Sequence, residues 1–175
     1  MIVIKELNLE TSKYIDKSND FFEITSVYDI EFKNGKFELT EKNEIPFKKK
    51  YDDTEINAND FMNDPLKKIL FAFFDNEIAG QVILQQHWNN YAWLEISIRE
   101  KFRRQGIGKM LIESSVNWTR EKGIPGLMVE TQNNNVPACK FYKSCGFKLG
   151  GFDIKLYSGI EKENKEIAMY WYYIF

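Results

Sequence analysis

Residues 103–108 read Arg-Arg-Gln-Gly-Ile-Gly and stand between an alternating apolar run and a helix-forming stretch. A glycine-rich turn that feeds a helix commits the chain to a strand–turn–helix unit, and that unit has a built-in affinity. The first turn of a helix leaves its backbone N–H groups without intrahelical partners, and the helix dipole places about half a positive charge there. Gly106 and Gly108 lack a Cβ, so a phosphate can approach the main chain closely. Arg103, Arg104 and Lys109 add cations beside it. The expectation is an anion cradle over Arg103, Arg104, Gln105, Gly106, Ile107, Gly108 and Lys109, suited to a diphosphate. An ordinary turn with a solvated basic patch would read the same way, so Gly-x-Gly alone decides nothing. The dinucleotide fingerprint is excluded, because Leu111 stands where its third glycine belongs, and the spacing is not that of a P-loop.

Periodicity places this turn among other elements. Residues 2–7 alternate as a strand, and 11–19 suggest a short polar helix. Residues 23–32 and 36–42 read as strands joined at Asn34-Gly35, a hairpin signal. Pro46 to Thr54 lacks periodicity and reads as loop, with Lys48-Lys49-Lys50 as a solvated charge run. Asn59 or Asp60 is expected to cap a helix ending near Lys68. Strands follow at 69–74, 78–87 and 93–98, then a helix over 106–122 stopped by Gly123. Leu127–Thr131 reads as a buried strand, and Asn135 with Pro137 opens a helix ending at Gly146. Strands near 147–156 and 167–173 close the pattern, with a loop over 158–164. The pattern is α+β, a mixed sheet flanked by helices.

The second motif follows the first by one helix and one strand. It runs Asn135-Val136-Pro137-Ala138-Cys139-Lys140-Phe141-Tyr142-Lys143-Ser144-Cys145-Gly146-Phe147. Asn135, Ala138, Phe141, Tyr142, Gly146 and Phe147, with Arg103 through Gly108 upstream, resemble the two motifs of the GCN5-related N-acetyltransferases (GNAT). That resemblance covers roughly residues 68–173. It implies a GNAT fold in one domain, residues 1–175, with 1–67 a variable acceptor-side half and 68–175 the acetyl-CoA-binding core. It also implies acetyl-CoA lying where two parallel central strands splay apart. The pyrophosphate would sit on residues 103–109, and the pantetheine arm would pair with Ile96, Ser97 and Ile98 as an added strand does. Asn135 would meet the same arm.

Transfer to an amine asks for two further groups. An alkylamine of pKa ~10.4 is protonated at neutral pH, and freeing its lone pair costs about 4 to 5 kcal/mol at pH 7. The departing thiolate needs a donor. Tyr142 falls on the motif position that implies the acid, against the plainer reading of a tyrosine on the helix's inner face. Glu95 is the candidate base, directly or through water, on a strand face shared with Trp93 and Ser97. A solvated strand carboxylate is the bland alternative. His87, the lone histidine, reads as packing or exposed polar.

Residues 91–173, with Trp88-Asn89 before them, resemble the streptothricin acetyltransferases within the family, through Glu95-Ile96, Glu130-Thr131, Gly151-Phe152-Asp153, Leu156-Tyr157 and Ala168-Met169-Tyr170. The resemblance implies an acceptor amine on the β-lysine group of streptothricin, held by Glu95, Glu130, Asp153 and Tyr157. Asp29, Glu31, Asp52 and Asp53 are further acidic candidates. Alternatives are another small amine, a polyamine, a protein N-terminus, or a non-catalytic acyl-CoA-binding module. A formal net charge of −2 argues against a nucleic-acid partner, and no apolar run approaches the ~20 residues of a membrane span. No metal-ligand spacing is present, and the two cysteines, six apart, are poorly placed to pair. No leader is read at the start, so a reducing cytoplasm is expected. The aromatics Tyr170 to Tyr173 and Phe175 are expected to complete a strand; an exposed subset would instead serve a homodimer.

Overall fold

The computed structural model describes residues 1–52 and 55–175. In chain order the elements begin with β1 (Ile2–Glu6), β2 (Phe22–Lys33), β3 (Lys36–Lys49) and α1 (Ala58–Asn63). Next come β4 (Lys67–Phe74), β5 (Glu77–Gln86), β6 (Ala92–Ile98) and α2 (Ile107–Glu121). The chain continues with β7 (Gly126–Gln132), α3 (Val136–Ser144), β8 (Lys148–Asp153), α4 (Leu156–Ile160) and β9 (Ala168–Ile174). The sheet order is β1-β4-β5-β6-β7-β9-β8, and β2-β3 form a separate two-stranded ribbon. Among the described residues the architecture is α+β with a mixed central sheet and four α-helices. Two compact units emerge: residues 1–22, 50–127 and 175 in the first, 23–49 and 128–174 in the second.

In the first unit β1, β4, β5 and β6 pair antiparallel in that order. Asp75 and Asn76, at φ 46° and 68°, make the two-residue turn from β4 to β5, the left-handed pair that matches strand twist. Alternation on β4 sends Ile69, Phe71 and Phe73 to one face, where they pack with Ile78, Ile83, Leu7, Tyr14 and Phe61. The Tyr14 ring meets Phe73 edge-on at 5.0 Å between centroids. Burying each such side chain contributes ~1.5–3 kcal/mol. Ala72, Val82, Leu84 and Leu94 are also buried, as are Ile107 and Leu111 of α2, which packs on this sheet. The glycine turn is thereby fixed at its helical end. Gly123, at φ 67°, ends α2 as expected.

In the second unit β8 and β9 pair antiparallel with a bulge between Leu149 and Gly151. Trp171 and Met169 of β9 are buried; the Trp171 indole donates to Thr131 Oγ1 at 3.0 Å, and Cys139 Sγ of α3 lies 3.9 Å from Met169 Sδ. Asn133 ties in the ribbon: its Nδ2 donates to the Tyr28 carbonyl at 3.0 Å and its Oδ1 accepts from Ile167 N at 2.9 Å. Cys139 and Cys145 are not joined in a disulfide.

Five expectations need correction. The segment read as loop from Pro46 is strand through Lys49, because a proline on a two-stranded ribbon can face an open edge and forfeit no ladder bond. Lys49 is accordingly not solvated: it pairs with Glu166 and only 22% of its side chain is exposed. Burial pushes the Glu166 carboxyl up, but hydrogen bonds from Lys49 and Asn134 outweigh it and leave its pKa below the usual carboxylate value. The cap of α1 is Asn57, whose side chain accepts from Asn59 N at 3.1 Å. That helix stops at Asn63 rather than near Lys68, since Asp64 precedes a proline and is extended. Finally, part of the 158–164 segment is helical, as α4. Among the described residues no helix is long and apolar enough to cross a membrane.

Candidate active site

In the first unit the turn after β6 is built by backbone conformation. Arg104 and Gly106 both take left-handed φ, 65° and 81°. For Arg104 this costs about 1 kcal/mol, and for Gly106 the missing Cβ makes it easy. A Cβ at Gly106 would meet nothing within 4 Å, so conformation, not crowding, demands glycine and the space above the turn is open. Gly106 is the N-cap of α2 and offers no side chain to its first N–H groups. Those donors and the open space fit an anion. Arg103 does not add its charge in the simple way expected. Its Nε donates to the Ile98 carbonyl at 3.0 Å, and a terminal nitrogen donates to the Phe21 carbonyl at 3.0 Å. Arg103 thus clasps the turn to β6, while Arg104, Gln105 and Lys109 are exposed. Gln105 Nε2 donates to the Lys101 carbonyl at 3.1 Å.

On β6, Ile96, Ser97 and Ile98 stand opposite Val82, Gln81 and Gly80. Ser97 Oγ lies 2.8 Å from Ser18 Oγ, and the Gln81 amide exchanges two 2.9 Å hydrogen bonds with Asp16. Glu95 is half-buried on that same face, and its Oε1 accepts from Trp93 Nε1 at 3.1 Å. His87 stacks against Trp93 at 5.3 Å, with Nδ1 buried and lacking a hydrogen-bond partner. A cleft of about 280 Å³, lined among others by Glu6, Phe61, Asp64, Trp118 and Lys122, contains none of these residues.

In the second unit Asn135 caps α3, its side chain accepting from Ala138 N at 3.3 Å. Tyr142 lies on the inner face of α3, only 4% exposed, its ring edge-on to Phe147 at 5.4 Å. Glu130 and Tyr157 are brought into direct contact: the Tyr157 hydroxyl donates to Glu130 Oε1 and accepts from Gln132 Nε2 at 2.6 Å. Asp153 Oδ1 accepts from the backbone N–H of Lys155 and Leu156 at 2.7 and 3.1 Å, the side-chain turn that launches α4 and so carries Tyr157. Tyr170 belongs with this group. Burial, then the negative charges of Glu130 and Asp153, push its phenol up. The sequence reading missed Gln132 and assigned Tyr170 to strand packing. Alternation along β9 was the available signal, since it turns Tyr170 away from the core face of Met169 and Trp171. Of the distal candidates, Asp29 pairs with Lys42 and Glu31 with Lys33, Asp52 is exposed, and Asp53 lies outside the described residues. Among the described residues no group of His, Cys, Asp or Glu could hold a metal.

The Acetyltransferase (GNAT) family profile matches residues 26–147, which take in the strand–glycine turn–helix unit and the asparagine-capped α3. The chain belongs to the GNAT family of acetyltransferases. It is 35% identical to a streptothricin acetyltransferase of Escherichia coli, over 98% of this chain and 93% of that one. It is 32% identical to streptothricin acetyltransferase A of Bacillus subtilis (strain 168), over 93% and 94%. A solved structure from Bacillus anthracis str. Ames, assigned as a streptothricin acetyltransferase in complex with acetyl coenzyme A, superposes with a TM-score of 0.93 at 36% identity and covers all of both chains.

Proposed function

We propose that this enzyme transfers the acetyl group of acetyl-CoA to an amino group of a streptothricin-class antibiotic, the β-lysine amine. What carries the reading is the extent of the likeness: the E. coli enzyme matches over 98% of this chain, so residues 1–67, which would shape the acceptor pocket, are matched as well. The acidic cluster Glu130, Asp153 and Tyr157 supports it, because a cationic acceptor is held by carboxylates and aromatic faces.

The roles combine what the family resemblance implies with elementary chemistry. The N–H groups at the start of α2, with Arg104 and Lys109, hold the pyrophosphate. The main chain of Ile96, Ser97 and Ile98 aligns the pantetheine arm, and Asn135, whose side-chain oxygen caps α3, meets the same arm through its side chain. Glu95 takes the proton that leaves the acceptor ammonium, directly or through water, and the nitrogen forms the amide as the C–S bond breaks. Tyr142 donates to the departing sulfur. Cys139 is poorly suited to carry an acetyl-cysteine intermediate. Burial pushes the Cys139 thiol up to about 11, leaving on the order of one thiolate in 10⁴ at pH 7.

Acetyl-CoA-dependent thiol release, measured with streptothricin, spermidine, lysine and a peptide with an unblocked N-terminus, tests the reading. Streptothricin is expected to be preferred by at least about 10²-fold in kcat/KM. Equal or better use of another amine would replace the acceptor while keeping the reaction. Acetyl-CoA binding with no turnover of any amine would overturn the enzymatic reading.

A further inference from the structure

Resting on the reading of a cationic acceptor, we infer that Gly151 is the floor of the acceptor groove and Tyr170 one of its walls, so that the missing side chain at 151 sets how large an ammonium-bearing group is admitted. Two neighbouring glycines in β8 behave in opposite ways. A Cβ at Gly150 would sit 2.5 Å from Tyr172 Cδ2 and 2.7 Å from its Cε2, so the fold itself demands a glycine there. A Cβ at Gly151 would meet nothing within 4 Å, and the backbone there is not left-handed. Glycine weakens a strand interior, and at position 151, at the edge of the bulge, neither crowding nor a left-handed backbone excludes a side chain. Gly151 is nevertheless half-buried.

The register says what borders that space. Gly151 pairs with Tyr170, and Asp153 with Ala168. Cross-strand partners share a face, as do residues two apart on a strand, so Tyr170, Gly151 and Asp153 lie on one side of the sheet. The other side is that of Met169 and Trp171, which meet Cys139 of α3 and Thr131. Glu130, one residue before Thr131, is turned the same way as Tyr170, whose phenol senses the charges of both Glu130 and Asp153. Tyr157 comes down on Glu130 from α4. Open space over a half-buried strand position, with carboxylates and phenols on the same face, matches an alkylammonium: the acids meet the charge and the ring faces meet the methylene stem.

Gly151→Ala and Gly151→Val, assayed by thiol release, test the assignment. The valine variant is expected to raise KM for streptothricin by about 10-fold or more, and the alanine variant by less, with kcat changed little. KM for acetyl-CoA should stay within about twofold of the wild type. The melting midpoint should hold or rise, because a β-branched residue suits a strand. Unchanged acceptor KM in both variants would overturn the assignment and leave the proposed reaction standing. Loss of both affinities together with a lower midpoint would also overturn it, by showing that glycine serves the fold. Should the wild type use a different amine, that amine's KM decides in the same way. A wild type inert toward every amine would remove the proposed function first, and the groove with it.

Discussion

Tyr142→Phe is expected to lower kcat by about 10²- to 10³-fold, the range a positioned general acid supplies, with KM for acetyl-CoA within a few-fold. The substitution removes one oxygen and leaves the ring that packs edge-on against Phe147. Loss of a buried hydroxyl costs at most about 1–3 kcal/mol of stability, which a melting curve would register separately from rate. The size of the kinetic effect follows from the leaving group. An alkyl thiol has a pKa near ~8.5, so a sulfur departing without a donor places nearly a full negative charge in a poorly hydrated site. Steady-state kinetics with both substrates varied would decide. A variant with full kcat would make Tyr142 a packing residue of α3, consistent with its 4% exposure, and would move the acid elsewhere.

Glu95→Gln is expected to lower kcat/KM for the acceptor by about 10²-fold at pH 7, with a deficit that shrinks as pH rises. Glutamine keeps an oxygen for Trp93 Nε1, which lies 3.1 Å from Glu95 Oε1, so the aromatic neighbourhood is preserved and only basicity is lost. Below the amine's pKa, each unit of pH multiplies the neutral amine tenfold, and the need for a base falls with it. The ratio of wild-type to variant kcat/KM, followed from pH 7 to 9.5, should therefore decline steadily. A ratio that stays constant over that range would show that the carboxylate holds the acceptor's charge instead of accepting its proton.

How much of this was legible before folding can be argued element by element. Where a short segment dictates its own conformation, the sequence reading was right. Asn34-Gly35 takes φ 51° and 76°, α2 starts within one residue of the expected position, and Asn135 caps α3 as expected. Where a partner far along the chain decides, the reading failed. Lys49 looked solvated because Glu166 lies 117 residues away. The helix α4 depends on Asp153 bridging two backbone N–H groups, and its Tyr157 reaches back 27 residues to Glu130. Arg103 reads from the sequence only as a cation beside the turn, and its hydrogen bonds to the carbonyls of Ile98 and Phe21, one of them 82 residues distant, are not visible there. The strand over Pro46 left no alternating pattern because its residues from Glu41 to Lys48 are all exposed. Tyr170 was hidden inside an aromatic run whose two faces differ only once the strand is formed.

The most direct measurement is a titration of isotopically labelled protein with acetyl-CoA, followed through its backbone amide resonances. The account predicts that the amides of Gln105 through Lys109 shift most strongly and saturate together, because their unpaired N–H groups at the mouth of α2 receive the pyrophosphate. Saturable binding that leaves those five amides unmoved, with the large shifts in another part of the chain, would contradict it.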